Sequence, residues 1–367
     1  MSPQRTPRLL MLAVGMGTGG AEALIRDSLP LLRQEGFDVT LRVLKQAPGG
    51  ASAGEAVYVH PARLTGELRQ GGFDLIHSHL FWANLMARGA GRWAGVPVIV
   101  NSHHGTDCWL SLSRRLLERS TSPLADRIVA CSEAVRGFAL DRVGLSPEKV
   151  VTIPNGIPME RFAQRGLRES VRASLGVDPN AMVIGSVGRL DEPVKGYSIL
   201  VEAMAIVSAR APGTICLIAG DGPARRGLEA AVVRQDLSRS VRFLGERQDI
   251  PRLLQGLDLY VQPSRLEGFG LSVLEAMASR LAVVATRAGG LPEVVEEGVT
   301  GNLVAPGDAV ALAEGLLAML ADAGRRSAYA AAGETRARGR FPLSRMVTEW
   351  SGLYRSLLAE KVRREAA

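Results

Sequence analysis

Two glutamates, Glu267 and Glu275, stand close together in the segment PSRLEGFGLSVLEAMA. Glu267 lies in a predicted loop, and a Gly-Phe-Gly run separates it from a predicted helix that carries Glu275 in its opening turns. Glycines let a ligand approach the backbone closely, and the free N–H groups of a helix start attract phosphate. A carboxylate accepts two hydrogen bonds and can therefore bind neighbouring hydroxyls of a sugar. The segment predicts a sugar-nucleotide site.

A second loop, VGRLDEPVKG, follows a predicted strand and contains Arg189 and Lys195. Arginine is the usual cation of this chain, so a lysine just before a glycine is a departure from its habit. The two residues could be solvated surface charges, or they could clamp a diphosphate through charge-assisted hydrogen bonds. The glutamate segment favours the diphosphate.

A third motif, GMGTGG, places Gly15, Gly17 and Gly20 at the G-x-G-x-x-G spacing of dinucleotide-binding proteins. A nicotinamide site also needs an acidic residue at the end of the second strand. There the sequence offers Lys45 and Gln46. The motif therefore predicts a tight glycine turn that opens a helix, and NAD is not its expected ligand.

These motifs must be positioned by a regular framework. Short strand-like segments rich in β-branched residues alternate with amphipathic segments, and the series restarts after IPNGIPMERF. Such alternation predicts parallel sheets covered by helices on both faces. Two series predict two doubly wound α/β domains, 1–158 and 159–344, which face each other across a cleft with the ligand at the strand ends.

Charge and composition limit the possible partners. A net charge of +7 favours an acidic partner, but the basic residues are spread and are not interleaved with aromatics as on nucleic-acid surfaces, so nucleic acid is not expected. The three cysteines fit no metal or redox spacing. No segment approaches the roughly 18 apolar residues of a transmembrane helix. A cytoplasmic protein is predicted.

One segment of the first half could contact a membrane. DCWLSLSRRLLERSTS mixes Trp109, Leu110 and Leu112 with Arg114 and Arg119. It is either a solvated amphipathic helix or a basic surface that binds an anionic bilayer or a lipid acceptor. The residues leave both interpretations open.

The whole chain resembles the retaining GT-B glycosyltransferases of glycosyltransferase family 4. The Glu-x7-Glu motif of Glu267 and Glu275 and the basic pair of Arg189 and Lys195 carry most of the resemblance. The segments AGDGP, FLGERQDIPRLL, GGLPEVVEEGVTGNLVAPGD and IPNGIPMERF add to it. The family sends its C-terminal helix back across the first domain, so residues 345–367 are expected there and not in a free coiled coil.

The resemblance implies roles for the residues of the second half. Arg189 and Lys195 would neutralise the donor diphosphate. Glu275 would hold the ribose hydroxyls, and Glu267 would act catalytically on the hydroxyls of the transferred sugar. The backbone would contribute contacts to sugar or phosphate at Phe269, Gly270 and Leu271, and contacts to the base at Gly245 and Arg247.

In the first half, the resemblance implies that His104 of NSHHGTD lies near the reacting sugar as a catalytic residue. Gly19 and Gly20 would face donor phosphate, and Glu22 would lie on the acceptor side. His103 would be packed or act indirectly. The segment HSHLFWANLMAR also supplies His77 and His79, which are structural or acceptor-side.

The implied activity is retaining transfer of a sugar from a nucleotide-diphosphate sugar to a hydroxyl acceptor, either free or lipid-linked. Its context would be the biosynthesis of cell-surface polysaccharide, glycolipid or another glycoconjugate, at the inner face of the membrane if the enzyme is peripheral. No cofactor and no metal are expected, because the basic pair acts where a divalent cation otherwise would. The alternatives are a GT-B nucleotide-sugar 2-epimerase and a non-catalytic sugar-nucleotide-binding subunit.

Overall fold

The computed structural model describes residues 5–17, 19–46, 55–105 and 111–365. Its contacts divide the chain into two compact units. The first consists of Met1–Gly156 with Leu343–Ala367, and the second of Ile157–Pro342. The prediction of two doubly wound α/β domains is confirmed, because each unit is built on one parallel sheet.

The first unit has a seven-stranded sheet. In chain order the strands are β1 (Arg8–Ala13), β2 (Asp38–Val43), β3 (Val57–Tyr58), β4 (Leu75–His79), β5 (Val98–His103), β6 (Arg127–Ala130) and β7 (Val150–Thr152). Their order across the sheet is β3-β2-β1-β4-β5-β6-β7, with every pairing parallel. Only β3 was not predicted, because it is two exposed residues long at the sheet edge.

The helices of the first half are α1 (Gly20–Gln34), α2 (Leu64–Gly71), α3 (Phe81–Ala94), α4 (Leu112–Thr121) and α5 (Glu133–Phe138). In α1, Leu24, Ile25, Leu29 and Leu32 lie on one face and are fully buried or nearly so. Each such side chain contributes about 1.5–3 kcal/mol through burial. This packing fixes the glycine turn that precedes α1 to the sheet.

The second unit has a six-stranded parallel sheet in the order β10-β9-β8-β11-β12-β13. Its strands are β8 (Val183–Val187), β9 (Ile215–Ala219), β10 (Val241–Gly245), β11 (Leu259–Gln262), β12 (Ala282–Thr286) and β13 (Gly301–Val304). All six coincide with the apolar segments that predicted strands. The buried residues of β12 carry no charge, as expected for a strand that is covered on both faces.

Eight helices surround that sheet in the described residues. They are α6 (Arg168–Ser174), α7 (Tyr197–Arg210), α8 (Arg225–Arg234), α9 (Ile250–Gln255), α10 (Leu271–Ala278), α11 (Leu291–Val294), α12 (Ala309–Ala321) and α13 (Ala323–Arg340).

The last helix, α14 (Leu343–Glu365), belongs to the first unit. It buries Met346, Trp350, Tyr354 and Leu357 at helical spacing, and the Tyr354 ring meets Phe37 edge-on at 5.5 Å. The predicted return of the C-terminal helix to the first domain is therefore confirmed. Among the described helices, none is both long and apolar enough to cross a membrane.

Candidate functional site

The strand order of the second unit reverses between β8 and β11. In open parallel sheets, ligands bind beyond the carboxyl ends of the strands at such a point. The loop after β8 carries Arg189 and Lys195, and the loop after β11 carries Glu267. The topology thus brings two separate candidate motifs to the place where a ligand is expected.

These two loops are tied together by their backbones. The N–H groups of Arg265 and Leu266 both donate to the Val194 carbonyl, at 2.9 and 3.1 Å. Gly196, next to Lys195, has a φ of +65°, and an added Cβ would collide with the carbonyl oxygen of Pro263. Only glycine allows this close approach without strain. The lysine that precedes it is therefore held directly against the glutamate loop.

Lys195 and Glu267 form an ion pair across the loops. The Lys195 Nζ donates to the Glu267 Oε2 at 2.8 Å, and the two side chains are 24% and 11% exposed. Ser264 Oγ donates to the same carboxylate oxygen at 3.1 Å. Separate roles were predicted for the two charges, on phosphate and on sugar, and the structure shows that they also contact each other.

Arg189 has a different environment. Its side chain is 68% exposed, and its Nε lies 3.7 Å from Asp191 Oδ2, too far for a strong hydrogen bond. Such an exposed pair contributes little to stability. The guanidinium of Arg189 can therefore turn to a phosphate at small cost.

The Gly-Phe-Gly turn, which directly follows Glu267 in the chain, leads into the start of a helix. Gly270 has a φ of +99°, and an added Cβ there would lie 2.6 Å from Leu291 Cδ2. The Phe269 side chain is buried and meets Phe341 edge-on at 5.5 Å, so only its backbone is free for ligand. Leu271 begins α10, whose first-turn N–H groups have no partners within the helix. Glu275 is the fifth residue of α10 and half-buried.

The two residues predicted to read the base lie after β10. Gly245 has a φ of +71°, and its carbonyl accepts from Gly220 N–H at 2.7 Å. The Arg247 guanidinium forms two bonds to Asp249, at 2.9 and 2.7 Å. This hydrogen-bonded contact lowers the pKa of the Asp249 carboxyl below its ordinary value. The Arg247 side chain is thus already engaged with Asp249.

In the first unit, the glycine turn runs into α1. Gly19 is the residue before the helix, Gly20 is its first residue, and Glu22 lies in its first turn. The Glu22 carboxylate folds back against Gly19, where an added Cβ would displace it. A carboxylate at a helix start satisfies the same positive potential that would attract a phosphate. A phosphate at Gly19 and Gly20 would require Glu22 to move.

Three histidines line the carboxyl ends of β4 and β5. Nδ1 of His79 lies 2.9 Å from Nε2 of His104, and the two rings stack. His77 contacts Tyr354 Oη of α14 at 2.5 Å and Ser102 Oγ at 2.8 Å. Burial lowers the pKa of His77 to about 3 and that of His104 to about 4, and lowers that of His79 well below its ordinary value.

The protonation states of His79 and His104 determine which hydrogen bonds His104 can form. Both His79 and His104 are neutral near pH 7, so one proton lies between them. Their outer nitrogens, His79 Nε2 and His104 Nδ1, are buried and have no partner among the described residues. One of the two must carry a proton and the other a lone pair. His104 therefore has one ring nitrogen, Nδ1, whose hydrogen bond is not made within the described residues, and it carries no positive charge at neutral pH.

A buried charge network beside these histidines was not predicted. His103 Nε2 lies 3.0 Å from Glu118 Oε1, and the fully buried Arg88 donates to the same oxygen at 2.5 Å. Arg88 also donates to Asn101 Oδ1 at 2.6 Å and to Thr121 Oγ1 at 3.0 Å. The sequence does contain an indication of it, because Arg88 follows Asn84 by one turn on the face of α3 that buries Ala83, Ala87 and Gly91. A charge on such a face needs a buried partner.

That network controls the ionisation of Glu118. Burial alone would raise the pKa of its carboxyl, but hydrogen bonds and charge from His103 and Arg88 outweigh burial and hold the pKa at about 2. Glu118 therefore stays ionised as the counter-ion of Arg88. His103 belongs to this network, and both roles predicted for it, packing and indirect action, stay predictions.

Comparisons with known proteins agree across both units. The family model "Glycosyltransferase Family 4" matches residues 18–161, and "Glycosyl transferases group 1" matches residues 181–322. A D-inositol 3-phosphate glycosyltransferase of Corynebacterium urealyticum is 33% identical over 78% of this chain and 72% of its own length. One of Salinispora tropica is 31% identical over 79% of this chain. This chain spans 59–65% of the length of three such relatives.

Solved structures show the same architecture. The Anabaena protein Alr3699/HepE in complex with UDP-glucose superposes with a TM-score of 0.82 at 25% identity, covering 97% of this chain and 99% of that one. WaaG, a glycosyltransferase involved in lipopolysaccharide biosynthesis, superposes with a TM-score of 0.76 at 18% identity, over 95% of this chain and 99% of that one. The likeness shows a GT-B fold. With the matches in both units and the Corynebacterium relative, it shows that this chain belongs to the group 1 glycosyltransferases of family 4.

Proposed function

We propose that the protein transfers a sugar, with retention of configuration, from a nucleotide-diphosphate sugar to a hydroxyl acceptor in glycoconjugate biosynthesis. The observation that carries the proposal is the Lys195–Glu267 pair at the point where the strand order reverses, beside the start of α10. A cation, a carboxylate and free helix N–H groups suit a ligand that joins a diphosphate to a polyol. The Anabaena neighbour, whose complexes contain UDP and UDP-glucose, supports UDP-glucose as the first donor to test.

In this proposal Lys195 and the exposed Arg189 neutralise the diphosphate, which also accepts N–H groups at Gly270 and Leu271. When Lys195 turns to the phosphate, Glu267 is released to bind hydroxyls of the sugar. Glu275 holds the ribose, and backbone at Gly245 holds the base.

The neutral state of His104 limits its role in the mechanism. With a pKa of about 4, the imidazole is a weak base at neutral pH. We therefore assign His104 to a hydrogen bond with the transferred sugar. The acceptor proton passes to the departing diphosphate, whose oxygen forms on the same face of the sugar as the attacking hydroxyl. No covalent glycosyl–enzyme is required, and the cations that stabilise the leaving group are side chains of the protein.

The proposal is tested in two steps. Thermal-shift titration against UDP-, GDP-, ADP- and TDP-sugars identifies the donor, since a ligand at 100 times its dissociation constant adds about 2.7 kcal/mol to stability. Release of nucleoside diphosphate is then measured with lipid-extract and soluble acceptors, and NMR of the product gives the anomeric configuration. Activity should survive EDTA. Donor binding without transfer to any acceptor would reject the enzyme, and an inverted product would reject retention.

The two glutamates should respond differently to neutral substitution. Glu275→Gln removes a charged acceptor from the ribose, which does not react, so it should mainly raise the KM for donor by about 10- to 150-fold. Glu267→Gln acts where positive character develops on the sugar ring, so it should mainly lower kcat. Calorimetric titration with free UDP is the control, because UDP has the ribose and lacks the sugar. UDP affinity should fall in Glu275→Gln and hold in Glu267→Gln, and the reverse pattern would overturn the assignment.

We also propose that the first unit binds an anionic membrane. The supporting observation is an exposed apolar surface on α3 and α4, which we name the α3–α4 face. Its residues are Trp82, Leu112, Leu116 and Leu117, which are 51%, 64%, 56% and 37% exposed. Arg114 lies 5.9 Å from the Trp82 ring centroid and is exposed beside them. The neighbouring Trp109 and Leu110 lie outside the described residues. Basic charge mixed with exposed apolar side chains suits an anionic interface.

Sedimentation with vesicles measures this attraction. The protein should pellet with phosphatidylglycerol-containing vesicles at low salt and be released as salt screens the charges, but not pellet with phosphatidylcholine alone. Leu112→Ser with Leu116→Ser should weaken pelleting. Val233→Ser removes a comparably exposed apolar residue, 69% exposed, from α8 and should change nothing. Equal pelleting of all variants would reject the α3–α4 face as the contact.

A further inference from the structure

The glutamate loop is supported by a line of buried polar side chains at the end of β11 and just beyond it. Gln262, the last residue of β11, and Ser264, two residues further on, are both completely buried. Gln262 Nε2 donates to Ser264 Oγ at 2.8 Å, and Ser264 Oγ donates to Glu267 Oε2 at 3.1 Å. Burying these groups is costly unless every bond is made. The line therefore needs an explanation beyond the packing of the sheet.

The direction of each bond along this line follows from its Glu267 end. The Glu267 carboxylate is held in an ion pair and only accepts hydrogen bonds, so Ser264 gives its single proton to Oε2. The Ser264 oxygen then accepts from the amide N–H of Gln262. Gln262 Oε1 therefore faces the hydroxyls of Tyr260 and Ser272, each at 3.1 Å.

As a result, the two carboxylate oxygens of Glu267 differ in their hydrogen-bond partners. Oε2 accepts from both Ser264 and Lys195. Oε1 accepts no hydrogen bond from the described part of the chain. When Lys195 turns away to a phosphate, the bond from Ser264 is the one that still holds Oε2 in place. A carboxylate held at one oxygen keeps the other at a fixed position.

We infer that Ser264 and Gln262 are positioning residues, which hold Glu267 by Oε2 so that Oε1 is presented to hydroxyls of the transferred sugar. This inference rests on the proposed function. The line acts on the sugar through Glu267, the carboxylate to which Ser264 donates. Fixing the Glu267 carboxylate before the sugar arrives favours the reacting geometry over the many rotamers of an unrestrained side chain.

The experiment compares Ser264→Ala, Gln262→Met and Ser264→Thr with a matched control. Ser279→Ala removes another buried serine hydroxyl of the same unit, whose Oγ has no partner among the described residues. Affinities for UDP and for UDP-glucose are measured by calorimetry, and kcat by UDP release. Thermal midpoints are recorded for each variant.

Ser264→Ala and Gln262→Met should lower kcat about 10-fold and weaken UDP-glucose binding, while UDP affinity stays within about 2-fold of wild type. Ser264→Thr keeps the hydroxyl and should recover most of the kcat. Ser279→Ala should match the wild type. A parallel loss of UDP and UDP-glucose affinity, or kcat values equal to those of Ser279→Ala, would overturn the inference while an active wild type leaves the proposed function standing. A wild type that neither binds nor consumes nucleotide sugars would reject both.

Discussion

Lys195→Ala is expected to reduce kcat/KM for sugar transfer by about 100- to 1,000-fold, the usual effect of removing one preorganised electrostatic group from a site where charge develops. In the proposed reaction the diphosphate gains negative charge as its bond to the sugar breaks, and contacts of Gly196 and the Val194 carbonyl hold the loop that would present Lys195 to it. The substitution has a second effect. It removes one of the two donors to Glu267 Oε2, so that the carboxylate is held by Ser264 alone.

A charge-conserving variant separates these two effects. Lys195→Arg keeps the charge and should retain more activity than Lys195→Ala, with UDP affinity closer to that of wild type. Arg210→Ala removes an exposed arginine that pairs with Glu314 in the same unit, both 54% exposed, and should leave activity unchanged. Calorimetry with UDP and with uridine gives the decisive comparison. If Lys195→Ala leaves UDP affinity unchanged, Lys195 does not bind the diphosphate.

The elements of this fold were largely predictable because their signals are local. Each strand of the second unit is a short apolar run that ends at a glycine or polar loop, and β8, β11 and β12 show this most clearly. The buried positions of α14 follow the helical period of Met346 and Trp350. In contrast, β3 has two exposed residues and carries no such period.

The contacts of the site could not be predicted, because they join residues far apart in the chain. Lys195 and Glu267 are 72 residues apart, and no pattern in either loop indicates that they pair. Gln262 ends β11 and Ser264 follows it by two residues, outside the strand, so their spacing alone assigns them no shared role. Their role comes from the hydrogen bonds that lead from Gln262 through Ser264 to Glu267, which exist only in the assembled unit.

Arg88 and Glu118 form a buried ion pair that the composition of their segments does not predict. Glu118 lies in a segment with three arginines and would be assigned to solvent by composition alone. In the structure its side chain is 3% exposed and that of Arg88 is fully buried, because α4 packs this one acidic position against α3. The same helix keeps Leu112 and Leu116 exposed. Helix α4 thus exposes apolar side chains and buries a charged one, which the composition of the segment does not predict.

Glu118→Gln is expected to lower the free energy of unfolding of the first unit by about 3–5 kcal/mol, because it leaves the buried Arg88 guanidinium without a counter-ion. Arginine cannot escape this cost by releasing its proton. All four tryptophans of the chain, Trp82, Trp93, Trp109 and Trp350, belong to the first unit. Urea denaturation followed by tryptophan fluorescence therefore reports on that unit selectively.

The double variant Arg88→Met with Glu118→Leu distinguishes an unpaired charge from lost packing. Replacing both ions by apolar side chains should recover more than half of the stability that Glu118→Gln loses, since neither charge remains buried. Glu55→Gln breaks the exposed pair with Arg33 in the same unit and should cost less than about 1 kcal/mol.

The ionised Glu118, with a folded-state pKa of about 2, contributes its full share of the free energy of unfolding above its ordinary pKa of 4.5 and loses that contribution as the pH falls toward 2. The deficit of Glu118→Gln should accordingly shrink as the pH falls from about 4.5 toward 2. A loss below about 1 kcal/mol at pH 7, or a double variant no more stable than Glu118→Gln, would show that the buried pair does not hold α4 to α3.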